Sequence, residues 1–110
     1  MKKLLVCALA LLAAGAVSVR AADAKATWAA SCAKCHGEDG KGQTAMGKKN
    51  GAKDYTDPKV QDALKDDAMI KAIKDGVKEG DKTKMKAYGD TLSDEEIKGL
   101  VTYIRGFKGK

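Results

Sequence analysis

The stretch Cys32-Ala33-Lys34-Cys35-His36 follows the pattern C-x-x-C-H, which is the attachment pattern of a c-type haem. Two thiols must reach the two vinyl groups of one macrocycle, so they must lie close together along the chain. A histidine directly after the second cysteine can point its imidazole at the iron from the same local turn. We therefore predict that Cys32 and Cys35 form two thioether bonds and that His36 is the proximal axial ligand.

Two other interpretations of this motif remain open. A C-x-x-C pair can be a redox dithiol, but that chemistry is typical of a βαβ setting, and the sequence shows no alternation of strands and helices. A structural zinc ion needs four ligands, and a processed chain would offer two cysteines and one histidine. Zinc would therefore need carboxylates or a partner chain, so haem is the favoured interpretation.

Residues 1–22 have the pattern of a secretory signal peptide. Two lysines precede an apolar stretch over 4–19, and small-residue cleavage sites fall near residues 21–24. The apolar stretch is shorter than the ~18 residues of a membrane-spanning helix, so an uncleaved anchor is the less favoured alternative. We predict export to the periplasm, with 23–110 as the single mature domain. Cys7 would leave with the signal, so both remaining cysteines belong to the motif.

Charge and size limit the partners of the mature domain. Without the signal the chain keeps 18 basic and 15 acidic residues, a net charge of +3, and two haem propionates would lower it further. This weak charge predicts no nucleic-acid partner. The mature domain is short, so its hydrophobic core is thin, and aromatic residues make up only 5% of the full sequence. A buried macrocycle would supply the missing apolar area. We expect a monomer that is at most peripheral to a membrane.

Helical signals run through the mature domain and predict an all-α fold of about four helices. The clearest is the capping box Ser93-Asp94-Glu95-Glu96, which begins a last helix that runs to about Phe107 and carries apolar residues at helical spacing. Gly99 inside it costs ~1 kcal/mol relative to alanine, which a close crossing with the first helix would explain. The other predicted elements are a first helix over 24–33, an irregular glycine-rich segment over 37–51, a helix from Asp57-Pro58 to Leu64, a helix capped by Asp66 or Asp67 that ends at Asp75 before Gly76, and a loop over 78–90.

The second axial ligand must be a residue other than histidine, because the chain has one histidine. Three methionines of the mature domain compete for this position. Met69 falls on the apolar stripe of its helix and is predicted to pack in the core. Met46 follows His36 closely, so the chain has little length to pass around a haem edge, but it remains the alternative. Met85, just before the last helix, is the favoured distal ligand, and its thioether would raise the reduction potential.

Three segments in this order resemble the class I monohaem c-type cytochromes, the small soluble bacterial cytochromes c. They are Cys32–His36, the loop that carries Met85, and Leu92-Ser-Asp-Glu-Glu-Ile97 leading into Val101-Thr-Tyr-Ile-Arg105. The resemblance covers nearly all of the mature domain. It implies the cytochrome c fold around one covalently bound haem c per chain, with one haem edge exposed. It also implies a soluble periplasmic electron carrier between larger redox complexes such as an oxidase, a reductase or a dehydrogenase.

The sequence departs from this family's pattern at two places. Lys86 follows Met85 where a proline is common, so the Met85 loop is expected to be less rigid than usual. Family members also often supply a proline carbonyl that accepts the proximal histidine N–H. The single proline, Pro58, lies too far from the motif for this, so another carbonyl is expected to orient His36.

Two filled axial positions predict outer-sphere electron transfer and no enzymatic reaction at the iron. The alternative is a haem-based module that binds or senses CO or NO when Met85 is displaced. Lysines flank both loops that would border the haem edge, and they would steer the protein onto an acidic partner surface. These lysines are Lys48, Lys49, Lys53, Lys82, Lys84 and Lys86.

Overall fold

The computed structural model describes residues 23–110, and the predicted signal peptide over 1–22 lies outside this part of the chain. Helices dominate the described residues, as predicted, and a single antiparallel hairpin joins the fourth helix to the fifth. The elements in chain order are α1 over 23–36, α2 Ala45–Asn50, α3 Pro58–Ala63, α4 Asp66–Asp75, β1 Val77–Glu79, β2 Lys82–Met85 and α5 Asp94–Arg105.

Helix α1 changes its geometry just before the cysteine motif. Its middle, Trp28–Cys32, is π-helical, with the Ala33 N–H donating to the carbonyl of Trp28, and Ala33–His36 returns to α geometry. Short π segments occur often at functional sites because they shift the side chains that follow around the helix axis. The predicted helix over 24–33 was therefore too short, since helical backbone carries the whole motif.

The core forms where α5 meets α1 and α4. Ile97 and Leu100 of α5 are each 1% exposed, and the predicted apolar stripe and the burial of Met69 are both confirmed. The capping box is present as predicted: Ser93 Oγ accepts from the Glu96 N–H, and the Glu96 carboxylate accepts from the Ser93 N–H. The buried apolar residues are Ala24, Trp28, Met69, Ile73, Ile97, Leu100, Val101, Ile104 and Phe107.

Gly99 lies where α5 meets the start of α1, as expected. A Cβ added at Gly99 would lie 4.0 Å from the Cβ of Ala24, which is ordinary van der Waals contact. The meeting of the two helices is thus confirmed, but the space between them does not require a glycine.

Two segments predicted to be irregular contain regular structure. Helix α2 lies within 37–51 and is capped by Thr44, whose hydroxyl accepts from the Gly47 N–H. The hairpin β1–β2 covers residues 77–85 and so overlaps the predicted loop 78–90, with Glu79 paired to Lys82 across the turn Gly80-Asp81. Its strands are short and mostly exposed, so they show no alternation of apolar and polar residues. The Gly-Asp turn between them was the available signal.

Helices α3 and α4 follow the sequence prediction with one correction. Asp57 caps α3 by accepting from the Lys59 N–H, and Gly76 ends α4. The N-cap of α4 is Lys65, which makes no capping hydrogen bond, so Asp66 and Asp67 were wrongly predicted as caps. They lie in the first turn instead, where carboxylates interact favourably with the helix dipole.

A buried amide joins α3 to α5. Gln61 is 2% exposed, and its Nε2 donates to the carbonyls of Tyr55 at 2.7 Å and Ile104 at 2.9 Å. Its Oε1 accepts from Arg105 Nη1 at 3.0 Å, so every polar atom of the side chain has a partner. Arg105 also donates to the Leu64 carbonyl and forms an ion pair with Asp66. This network holds α3 and the start of α4 against the end of α5.

Gln61→Leu is expected to lower the free energy of unfolding by about 2–3 kcal/mol. The leucine fills a similar volume but leaves the Tyr55 carbonyl and one Arg105 donor without their partner, and the buried Ile104 carbonyl keeps only its bonds from backbone N–H groups just after α5. The measurement is denaturant unfolding of the haem-loaded protein. Gln43→Leu, at the exposed second glutamine, is the matched control and should shift stability by less than ~0.5 kcal/mol. Equal shifts in the two variants would contradict the role given to the network.

Candidate functional site

A cavity of about 650 Å³ opens between α1, α2, α4, α5 and the hairpin. Its volume lies within the range of about 300–1,000 Å³ that is usual for cofactor sites. Cys32, Cys35 and His36 line it from α1, and Met85 lines it from the end of β2. The structure therefore brings all four predicted site residues to a single cavity, although 49 positions separate His36 from Met85.

Backbone contacts after α1 fix the position of the motif. Gly37 ends the helix with φ +83°, and its N–H donates to the Ala33 carbonyl at 2.7 Å. The Thr44 hydroxyl donates to the Cys35 carbonyl at 2.8 Å. Gly47 of α2 lies against that same carbonyl, so closely that a Cβ at this position would overlap with it. Helix α2 thus serves as the support of the motif, a role that the sequence analysis missed.

The His36 ring packs in a cluster with two aromatic side chains. Its centroid lies 5.4 Å from that of Trp28 and 5.3 Å from that of Tyr55, which stacks on it at 26°. Trp28 is itself fixed, because its Nε1 donates to the Gly37 carbonyl at 2.9 Å. Burial lowers the pKa of His36, which favours the neutral imidazole. Neutral imidazole is the form that binds a metal ion.

Nδ1 of His36 is buried and has no hydrogen-bond partner among the described residues. The expectation that another backbone carbonyl orients this ring is therefore wrong for this structure, in which the two aromatic rings hold it. Because Nδ1 is buried, Nε2 is the ring nitrogen left to face the cavity that His36 lines. His36 would bind a haem iron through Nε2, and the apolar cavity beside it fits a haem.

The two motif cysteines are half-buried free thiols. Burial, and secondarily the neighbouring Cys35, raises the pKa of Cys32 to about 11. Redox dithiols work through a thiolate of lowered pKa, so the dithiol interpretation finds no support here. No group of three or more His, Cys, Asp or Glu side chains within residues 23–110 is arranged to hold a metal ion, which also weakens the zinc interpretation.

The three methionines of the mature domain lie in different settings around the cavity. Met69 is 5% exposed within the core cluster, whereas Met46 on α2 is 39% exposed. Met85 is partly buried and packs against the core cluster from the hairpin. All three methionines line the cavity, but Met69 belongs to the core on α4, and Met46 belongs to the helix that supports the motif, directly beside Gly47. Met85 comes from a separate element and remains the favoured second ligand.

The helical fold, the haem-attachment motif and the cavity beside it are those of a small monohaem c-type cytochrome. The family described as "Cytochrome C oxidase, cbb3-type, subunit III" matches residues 19–104. The chain belongs to this family. Its members use haem to carry electrons and are typically carriers rather than enzymes.

Solved structures agree with this assignment. The structure titled "KustC0563 c-type cytochrome" is 32% identical and superposes with a TM-score of 0.70, covering 78% of this chain and 98% of that chain. A tyrosine-to-phenylalanine mutant of the same protein is also 32% identical and superposes with a TM-score of 0.68. This match covers 78% of this chain and 99% of that chain. A comparison with curated proteins found no match. No helix within residues 23–110 has the length and apolar character needed to cross a membrane.

Proposed function

We propose that this protein is an exported, periplasmic electron carrier that binds one haem c covalently through Cys32 and Cys35. In this proposal, His36 and Met85 would hold the haem iron. The observation that carries it is the cavity of about 650 Å³ that unites these four residues. The family assignment supports haem-based electron transfer, and c-type cytochromes are usually exported.

The side chains around the cavity have distinct tasks in this mechanism. When bound, the haem supplies an iron that gains and loses one electron. Trp28 and Tyr55 hold the His36 ring in one orientation, and burial favours its neutral imidazole. Met85 would bind the iron through its thioether, a ligand that favours the reduced state. The apolar residues of α4 and α5 exclude water, so little solvent has to reorganise when the charge of the site changes.

Covalent attachment is tested with the full-length chain, expressed in cells that mature c-type haem. A denaturing gel of the periplasmic fraction, stained for haem, should show haem that stays with the protein, and the mass of the mature chain gives both the cleavage site and the haem count. Cys32→Ala with Cys35→Ala should abolish the stain. Haem staining that survives the double variant would contradict attachment at this motif.

Positive side chains surround the opening of the cavity, which favours an acidic partner surface. Lys34, Lys53, Lys84 and Lys86 all contribute to the cavity lining. Charges of one sign around an opening raise the rate of encounter with a partner of the opposite sign. We propose that the redox partners, a membrane or periplasmic oxidase, reductase or dehydrogenase, present acidic groups to this opening.

The salt dependence of electron transfer tests this steering without a known partner. Oxidation of the reduced protein by the anion ferricyanide should slow several-fold when ionic strength rises from ~0.01 to ~0.15 M, because the screening length falls from about 30 to 8 Å. A cationic cobalt(III) phenanthroline complex should react faster over the same range. Lys53→Gln with Lys86→Gln should weaken both trends, whereas Lys98→Gln on α5, which does not line the cavity, should not. If the reaction rates of all variants depended equally on ionic strength, a local role of these lysines would be contradicted.

A further inference from the structure

The segment that carries Met85 is bound to α4 by its backbone. The N–H groups of Tyr88 and Gly89 donate to the carbonyls of Ile73 and Lys74, each at 2.9 Å. Gly76, with φ +78°, lets this segment approach the end of α4, because a Cβ there would lie 2.6 Å from the Met85 carbonyl oxygen. One side of the cavity therefore holds the Met85 segment through main-chain contacts, in addition to the packing of Met85 and Tyr88 against the core.

A side-chain hydrogen bond joins the same segment to the other side of the cavity. The Tyr88 hydroxyl donates to the carbonyl of Ser31 at 3.2 Å. Ser31 lies within the π-helical part of α1, directly before Cys32. The cavity is lined by Tyr88 and Met85 from the predicted ligand segment and by Ser31 and Cys32 from α1. This hydrogen bond therefore connects the predicted ligand segment with the haem motif.

The presence of Lys86 after Met85 makes the hydrogen bond from Tyr88 to Ser31 more important for holding the Met85 segment. The residue after Met85 is not a proline, so the backbone of the segment lacks that source of rigidity. The Lys86 Nζ instead lies 5.8 Å from the centroid of the Tyr88 ring, within cation–π distance. The side chain that follows Met85 thus contacts the tyrosine that reaches across to α1.

We propose that Tyr88 is a positioning residue, whose hydroxyl holds the Met85 segment to α1 and thereby controls how readily an external ligand replaces Met85. This inference rests on the proposed function, in which Met85 is the second axial ligand. A segment bound on both sides of the cavity must release one side before Met85 can swing away. The segment makes two main-chain hydrogen bonds with α4 and a single side-chain hydrogen bond with α1, so the bond from Tyr88 to Ser31 breaks first.

The test uses the oxidised haem-loaded protein and imidazole as the external ligand. At saturating imidazole the rate of binding reports the opening of the Met85 segment. Tyr88→Phe keeps the ring and removes the hydroxyl, so we expect opening about fivefold faster, the ratio that corresponds to one hydrogen bond of ~1 kcal/mol. Hydrogen exchange of the amides over 85–89 should rise in parallel. Tyr103→Phe is the control, since the Tyr103 hydroxyl has no hydrogen bond within residues 23–110.

Faster binding and faster exchange in Tyr88→Phe, with Tyr103→Phe unchanged, would establish the role of the hydroxyl. Wild-type rates in Tyr88→Phe, or equal acceleration in both variants, would overturn it. Met85→Ala separates this inference from the proposed function. If the wild type bound imidazole as fast as Met85→Ala, Met85 would not be the ligand and both proposals would fall. If Met85→Ala bound imidazole faster than the wild type but Tyr88→Phe did not, Met85 would remain the ligand and only the role of Tyr88 would be contradicted.

Discussion

Met85→Ala is expected to convert the oxidised protein from a low-spin to a high-spin form and to let the reduced protein bind carbon monoxide rapidly. Alanine has no atom that can bind iron, so one ligand position opens to water or to an added ligand. The midpoint potential should also fall by on the order of 100 mV, because the thioether stabilises reduced iron and axial ligands span ~0.8 V. Absorption spectra of both oxidation states, with and without carbon monoxide, measure the first two effects.

Met46→Ala is the matched control for this experiment. Met46 also lines the cavity, but it is 39% exposed and lies on the helix that supports the cysteine motif. The control should keep the low-spin spectrum and remain unreactive toward carbon monoxide. The reverse result, with Met46→Ala high-spin and Met85→Ala unchanged, would transfer the ligand role to Met46. A wild type that already binds carbon monoxide rapidly would favour the ligand-binding module over the electron carrier.

Gly47→Ala is expected to destabilise the haem-loaded protein by about 3 kcal/mol and to lower the yield of covalent haem. The added methyl group would overlap with the Cys35 carbonyl and lie 2.6 Å from that of Gly42. Both obstacles are backbone atoms, so relief requires α2 to move away from the haem motif, and such overpacking is costly. Denaturant unfolding gives the stability, and haem staining of equal protein amounts gives the yield.

Gly99→Ala is the control for this change, because both glycines lie inside helices. At Gly99 the new Cβ would lie 4.0 Å from Ala24, so the better helix propensity of alanine should dominate and raise stability by up to ~1 kcal/mol. Opposite signs for the two substitutions are the expected result. A stabilised Gly47→Ala protein with normal haem yield would show that α2 does not press against the motif as described.

The sequence predicted best those features whose causes lie within a few residues. The C-x-x-C-H motif places its reactive atoms within one turn, so it predicts haem attachment without knowledge of the fold, and that attachment stays a prediction. The capping box at Ser93 and the Asp57 cap are local hydrogen bonds, and both are present. The apolar stripe of α5 has helical spacing because that face packs into the core. Predictions failed where the local signal was weak, as in the short polar strands of the hairpin.

The sequence by itself thus determined the helical class, the haem-attachment motif and the identity of the candidate ligands, because these depend on side-chain chemistry and short-range spacing. Only the tertiary structure decided which distant residues meet. It brought Met85 to the same cavity as His36, stacked Tyr55 on the imidazole and placed Gly47 against the Cys35 carbonyl. It also joined the buried Gln61 amide to α5. Such contacts link residues far apart along the chain, and no periodicity or motif encodes them, so they arise only when the helices pack.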